Sequence, residues 1–298
     1  MDTIKVKARG KINLGLDVLG RRPDGYHEVR MVMQTVGLYD SLEITKIPED
    51  DIRIRTNLKY LPVDENNLVY KAVRLMKKTA GFSGGVAVDL HKFIPVSAGM
   101  AGGSTDAAGV MFGVNKLYNL NFDLPELMDM GLKLGADVPY CLMRGTALAE
   151  GIGEKLTRVP AAPHMDILLA KPRISVSTRM VYEKLDSTPI PSHPDTMAIL
   201  KAIAAGDVEA LCASMGNVLE SVTIPMYPII AKLKRQMLDN GAIGAMMSGS
   251  GPTVFGIYPD AQSCARARDV LRKAGDARQV YTTETFNPPG AAGRDFYS

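Results

Sequence analysis

Apolar and polar residues alternate with a period of two from the start of the chain. Ile4, Val6 and Ala8 point one way, and Ile12, Leu14, Leu16 and Val18 repeat the pattern. The stretch GRRPDG (Gly20–Gly25) predicts a turn, after which HEVRMVMQTVGL can return as another strand. SLEITKI and DIRIRTN predict two more short strands by the same alternation. From Asn66 the period changes. NNLVYKAVRLMKKTAG carries an asparagine cap, apolar positions Val69, Val73 and Met76, and a closing Gly81, which together predict a helix. GVAVDLHKFIP alternates again, with Val86, Val88 and Leu90 on one side. A loop of small residues follows, then a predicted helix from about Ser104 to Tyr118 and another near Leu124–Leu134.

In the second half, Pro160 and Pro163 break the pattern before a buried-looking strand in MDILLAKP. STRMVYEKLD, DTMAILKAIAAGD, VEALCASMGNVLESV and PIIAKLKRQMLDNG predict helices. AIGAMMSGSGPTVFGIY predicts strand, turn and strand; a helix at Ala261–Ala274 and a strand at Arg278–Phe286 come next. The tail NPPGAAGRDFYS is expected to be a loose end. Mostly antiparallel strands with helices in groups predict an α+β fold. The chain has 298 residues, the length of two ordinary domains or one large one, and no internal repeat.

Composition narrows the class. Hydrophobic residues make up 46% and charged residues 22%, as in a soluble, core-forming protein. The formal net charge of +3 is spread along the chain rather than gathered in runs, which argues against a nucleic-acid partner. No apolar run approaches membrane-spanning length, and the N-terminus lacks a signal-peptide pattern, so no membrane partner is expected. Cys141, Cys212 and Cys264 lie far apart without metal-ligand spacing, and reduced thiols point to a cytoplasmic protein.

The candidate chemistry begins at PVSAGMAGGSTDAA. Gly99, Ala101, Gly102 and Gly103 have almost no side chain and precede a helix start, where free N–H groups and a partial positive charge favour an anion. Ser104 and Thr105 fall at that start, and their hydroxyls can cap the helix or reach Mg²⁺. A surface loop with an ordinary serine cap fits the loop taken alone equally well. Neither the G-x-x-x-x-G-K-[ST] nor the G-x-G-x-x-G phosphate motif occurs, and the protein-kinase motifs are absent too. A second small-residue element, MMSGSGPTVFGIY, has more glycine than a hairpin needs and can wall the loop if the two halves pack together.

Three segments, GKINLGLDVLGRRPDGYH, PVSAGMAGGSTDAA and GAMMSGSGPTVFG, stand in an order that resembles the GHMP small-molecule kinases. The first, with LGADVPYCL, resembles the branch acting on 4-diphosphocytidyl-2-C-methyl-D-erythritol. The resemblance covers nearly the whole chain. It implies an N-terminal domain like ribosomal protein S5 domain 2 (residues 1–158), a ferredoxin-like C-terminal domain (residues 159–298), and a site between them. It also implies phosphorylation by ATP of the 2-hydroxyl of a cytidine-diphosphate substrate, in a monomer or weak homodimer.

By that resemblance Asp137 is the proton acceptor and Lys11 orients it and lends positive charge, although a helix-capping aspartate and a solvated edge lysine like Lys5 or Lys7 fit the bare sequence. Asn13 shares a strand face with Lys11 and, with His27, suits the edge of a pyrimidine, while Tyr26 suits its face. Tyr182 is implied as the opposite stacking face, and Asn67 and Leu68 as lining of the adenine pocket. Pro95, Val96, Ser97, Ala98, Gly99, Met100 and the residues through Thr105 form the implied ATP loop. Ser97, Ala98 and Ala101 stand where the family commonly has glycine, Met100 where leucine is usual, and Thr105 where a second serine is usual. Their side chains predict ordinary backbone conformations there. A kinase for another alcohol such as homoserine or mevalonate, a nucleotide-binding regulator without turnover, and a nucleic-acid-binding module are the competing readings. The Tyr26–His27 pair with Asn13 favours a cytosine-bearing substrate over the first.

Overall fold

A computed structural model of the chain describes residues 2–288. Two long strands, β1 (Thr3–Arg21) and β2 (His27–Ile47), pair antiparallel along their whole length. The two separate strands predicted between His27 and Ile47 are one. β3 (Ile52–Thr56), α1 (Leu68–Ala80), β4 (Gly85–His91) and α2 (Gly102–Leu117) follow, then α3 (Leu124–Leu132), α4 (Val138–Met143), β5 (Thr146–Glu150) and β6 (Lys155–Arg158). The first sheet runs β3-β4-β2-β1, with β5 and then β6 continuing from β2. α1 is capped as predicted: Asn67 Oδ1 accepts from Val69 N–H, and Gly81 closes the helix in the left-handed region.

The second half begins with β7 (Asp166–Pro172) and continues with α5 (Thr178–Leu185), α6 (Thr196–Ala205) and α7 (Val208–Ser214). A two-residue strand, β8 (Gly216–Asn217), precedes α8 (Glu220–Met226), α9 (Ile229–Asp239), β9 (Gly244–Met247) and β10 (Val254–Tyr258). α10 (Ala261–Ala274) and β11 (Ala277–Glu284) complete the described elements. The second sheet has the order β11-β7-β10-β9 and is antiparallel throughout, the arrangement of a ferredoxin-like unit. VEALCASMGNVLESV is not the single helix predicted. Gly216 and Asn217 leave the helical path to pair with Gly15 and Leu16 of β1, extending the first sheet. The expected loose end is anchored at its start, where Asn287 Nδ2 donates to Ala162 O at 2.9 Å. The rest of that tail, residues 289–298, lies outside the described residues.

Even-numbered residues of β1 do not share one face. Val6, Ala8, Leu16 and Val18 pack into a core covered by α1 and α2, whereas Ile12 and Leu14 pack into a second core with Ile167, Leu169 and Phe255 of the other sheet. Register breaks between Arg9 and Lys11 and between Asn13 and Gly15 turn the strand over and back. The two sheets therefore pack on each other through the stretch between the breaks.

A buried charge cluster locks α2 to the first sheet. Lys92 Nζ lies against Asp40 Oδ2, donates to Asp106 Oδ2 at 2.6 Å and reaches Gly102 O at 3.3 Å. Asp40 Oδ1 accepts the N–H groups of Phe93 at 2.5 Å and Ile94 at 2.8 Å. Burial raises the Asp106 carboxyl well above its usual range; Lys92 opposes this and Asp40 adds to it. Burial alone would lower Lys92, but Asp106 and Asp40 hold it above its ordinary value. Lys92→Met should leave two buried carboxyls without their cation and destabilise the fold by about 3–5 kcal/mol. Urea unfolding measures the loss. It should shrink as pH falls, because the Asp106 carboxyl, whose folded pKa is raised, takes up a proton on folding. A variant as stable as the parent at neutral pH contradicts the pairing.

Candidate active site

The first register break in β1 positions the lysine. It carries Lys11 and Asn13 onto the face where α2 lies, and Lys11 is 5% exposed, unlike the solvated Lys5 and Lys7. Lys11 Nζ donates to Asn13 Oδ1 at 2.7 Å, and Asn13 Nδ2 reaches Met31 Sδ at 3.4 Å. Burial lowers the Lys11 pKa, with the charge of Asp137 acting against it. The direct partner of the ammonium is thus Asn13, and Asp137 acts on it through space.

The same break holds the small-residue loop. Lys11 N–H donates to Met100 O at 3.2 Å, and Thr105 Oγ1 donates to Arg9 O at 2.6 Å. α2 starts at Gly102, two residues earlier than predicted, and its first intrahelical bond runs from Thr105 N–H to Ala101 O. The N–H groups of Gly102, Gly103 and Ser104 therefore lie in the free first turn, where the dipole favours an anion. The small residues there have a packing cause too, since a Cβ on Gly102 would stand 3.1 Å from Ile94 Cγ2.

Across the loop stands the turn from Ser248 to Gly251, as expected if the halves pack together. Ser248 Oγ donates to Gly99 O at 2.9 Å, and a Cβ on Gly99 would lie 2.0 Å from Ser248 O. Backbone meets backbone there, so only glycine fits. Asn217 fixes the turn from behind, its Nδ2 donating to Met247 O and Gly249 O, both at 2.8 Å. Ser250 Oγ and Thr178 Oγ1 share a hydrogen bond of 2.8 Å, which joins the turn to α5.

Asp137 is the residue before α4, yet its side chain makes no capping hydrogen bond. α4 is held elsewhere: the buried Tyr140 hydroxyl donates to Gly145 O at 2.7 Å. The Asp137 carboxylate is left facing a cleft of about 1200 Å³, which also takes in Lys11, Asn13 and the loop. That exceeds the ~300–1,000 Å³ of an ordinary single-ligand pocket.

His27 and Tyr182 line the same cleft and pack against each other, their ring centroids 4.9 Å apart. His27 Nε2–H donates to Asp186 Oδ1 at 2.7 Å, and Arg21 Nη1 lies 3.3 Å from Asp186 Oδ2. Burial and the charge of Asp137 raise the Tyr182 pKa, so its hydroxyl stays protonated. Tyr26 stands at the mouth, 60% exposed.

Residues 67–145 match the GHMP kinases N terminal domain and residues 199–277 the GHMP kinases C terminal region. A 4-diphosphocytidyl-2-C-methyl-D-erythritol kinase from Lachnospira eligens is 64% identical over 288 residues, covering 97% of this chain and 100% of its own. The chain belongs to the 4-diphosphocytidyl-2-C-methyl-D-erythritol kinases of the GHMP superfamily. A solved structure of 4-(cytidine 5'-diphospho)-2C-methyl-D-erythritol kinase agrees, with a TM-score of 0.83 and 31% identity over 96% of this chain and 100% of that one. Homoserine kinase from Cytophaga hutchinsonii shares the fold, with a TM-score of 0.75 at 20% identity over 95% of each chain. This is a small-molecule kinase of α+β fold.

Within this family member, Lys11, Asn13, Tyr26, His27, Leu68, Asp137, Tyr182 and the loop residues Val96–Gly99 and Ala101–Ser104 all line one cleft. Pro95, Met100, Thr105 and Asn67 do not line it. Met100 and Thr105 anchor the loop to β1, and Asn67 caps α1. Of the two hydroxyls considered for Mg²⁺, Ser104 reaches the cleft whereas Thr105 is turned to Arg9 O. Asp186, Arg21 and Thr178 also line the cleft; Arg21 lies within the first motif segment but was not singled out, and Asp186 is brought there by the fold.

One backbone expectation fails. Ser97 has φ 50° and Ala101 φ 56°, both left-handed, and of the three substituted positions only Ala98 avoids that region. Anchors at Met100, Thr105 and Gly99 over-determine the loop and hold both residues there, at a strain of about 1–2 kcal/mol each. Ser97 is exposed, so Ser97→Gly loses no packing. It should stabilise the protein by about 0.5–1 kcal/mol after the added entropy of the unfolded chain, and Ser97→Val should destabilise it. Urea midpoints that move the same way for both variants contradict the strain.

Proposed function

We propose that this kinase transfers the γ-phosphoryl group of ATP to the 2-hydroxyl of 4-diphosphocytidyl-2-C-methyl-D-erythritol, a step of non-mevalonate isoprenoid synthesis. The observation that carries the reading is that Lys11 and Asp137 share one cleft with the small-residue loop at the start of α2 and with the His27–Tyr182 pair. A kinase for a nucleotide-bearing alcohol needs both.

The N–H groups of Gly102, Gly103 and Ser104 and the flanking Val96–Ala101 loop hold the ATP phosphates, and Leu68 lies toward the adenine. Asp137 accepts the proton of the 2-hydroxyl as its oxygen bonds to phosphorus and the bond to the leaving ADP breaks. Lys11, poised by Asn13, adds positive charge near the transferred group. The cleft offers oxygen donors suited to a hard cation, Ser104 Oγ and the Asp137 carboxylate. Mg²⁺ carried by ATP would meet Ser104 and neutralise phosphate charge. Tyr26 and Tyr182 supply aromatic faces for the cytosine and His27 a polar contact. Asn13, expected at the base edge, instead has its Oδ1 taken by Lys11 and its Nδ2 by Met31 Sδ, and serves the substrate through Lys11.

The end of β6 at Arg158 and the start of the second sheet at Asp166 support a domain boundary near residue 158. Cys141, Cys212 and Cys264 form no disulfide among the described residues, which supports a reducing, cytoplasmic setting.

Asp137→Asn keeps the shape and removes the proton acceptor, and it should lower kcat by roughly 10²–10⁴ while ATP still binds. Steady-state turnover with a parallel ATP-binding titration measures both, and a variant at the parental rate contradicts the assignment. Cytidine diphosphate should compete with the alcohol substrate and not with ATP. Inhibition competitive with ATP alone would remove the second end of the cleft from the reading.

A further inference from the structure

The contact between His27 and Asp186 crosses 159 residues of sequence and joins the β1–β2 hairpin to the end of α5. The His27 side chain is 9% exposed, and its ring lies against Tyr182 from the same helix. A carboxylate is acceptor-only, so a 2.7 Å contact with Asp186 Oδ1 puts the proton on Nε2. Arg21 lies 3.3 Å from the other carboxylate oxygen and balances its charge. In the neutral ring Nδ1 is then left with a lone pair, and it has no protein partner among the described residues.

We propose that Asp186 is a positioning residue that sets the tautomer of His27 and thereby selects an amino-bearing pyrimidine. The proposal rests on the reading of this end of the cleft as a nucleobase pocket. With Nε2–H engaged, Nδ1 of the neutral ring can only accept a hydrogen bond. The exocyclic amine of cytosine donates one; the corresponding carbonyl of uracil presents a second lone pair and is rejected. Discrimination thus comes from Asp186 acting through the ring, without itself touching the base. Replacing the carboxylate by an amide removes the constraint. An asparagine can donate to Nε2 as readily as accept from it, which releases the proton to Nδ1 and lets the ring meet either base.

Two measurements test this. Long-range ¹H–¹⁵N spectra of the ¹⁵N-labelled protein should show His27 as the Nε2–H tautomer in the parent, with the Nδ1–H form gaining population in Asp186→Asn. Competition by cytidine diphosphate and uridine diphosphate against the alcohol substrate should favour the cytidine nucleotide by about tenfold or more in the parent, the scale of one mismatched buried hydrogen bond. Asp186→Asn should narrow that ratio severalfold, and Asp186→Ala, which leaves Nε2 to water, should narrow it as well. In a His27→Ala background neither change should move the ratio further. An Nδ1–H tautomer in the parent overturns the proposal, as does a cytidine-to-uridine ratio unmoved by both variants. If the parent discriminates and only the variants fail to respond, the nucleobase pocket stands and the role of Asp186 falls. If cytidine diphosphate does not compete at all, both fall together.

Discussion

The break in the β1–β2 register at Arg9–Lys11 is the constraint on which the site depends. An uninterrupted ladder would point Lys11 away from α2 and spend the Lys11 N–H and Arg9 carbonyl on β2. At the break those groups go instead to Met100 O and Thr105 Oγ1, so one irregularity places both the lysine side chain and the phosphate loop. The same reversal sends Ile12 and Leu14 toward the second sheet, which packs there. Site construction and the joining of the two halves thus share one physical cause.

The second half then closes the loop from the other side. Gly99 and the Ser248–Gly251 turn meet backbone to backbone, and Asn217, itself drawn into the first sheet through β8, holds that turn in place. With Met100 and Thr105 fixed to β1 and Gly99 against the turn, the loop keeps Ser97 and Ala101 in strained conformations. Its amides are therefore set before any anion arrives, which favours binding without further ordering.

Local patterns in the sequence carried most of the elements. Period-two alternation marked β1, β3 and β4; Asn67 and Gly81 bounded α1, and the helix at Ala261–Ala274 falls where it was expected. What escaped was decided by distant partners. Gly216 and Asn217 read as helix until β1 is there to pair with them. The short α4, β5 and β6 are too brief to show a period, and the strand reversal in β1 is invisible because its apolar residues keep their spacing while changing sides. Most of the candidate site residues were legible through ordered motifs, and Lys11 was separable from Lys5 and Lys7 only in that way. Asp186 had no such signal, since its significance lies in a contact with a histidine far away in the chain.

The central claim is that one cleft serves ATP at one end and a cytidine-diphosphate alcohol at the other. Release of ADP by the purified protein, with ATP and Mg²⁺ and with 4-diphosphocytidyl-2-C-methyl-D-erythritol, homoserine or mevalonate as acceptor in parallel, tests it most directly. The account predicts rapid turnover with the cytidine compound and a new phosphomonoester on its 2-hydroxyl, with only background release for the other two alcohols. Turnover of homoserine or mevalonate at a comparable rate, or none with the cytidine compound, would contradict it.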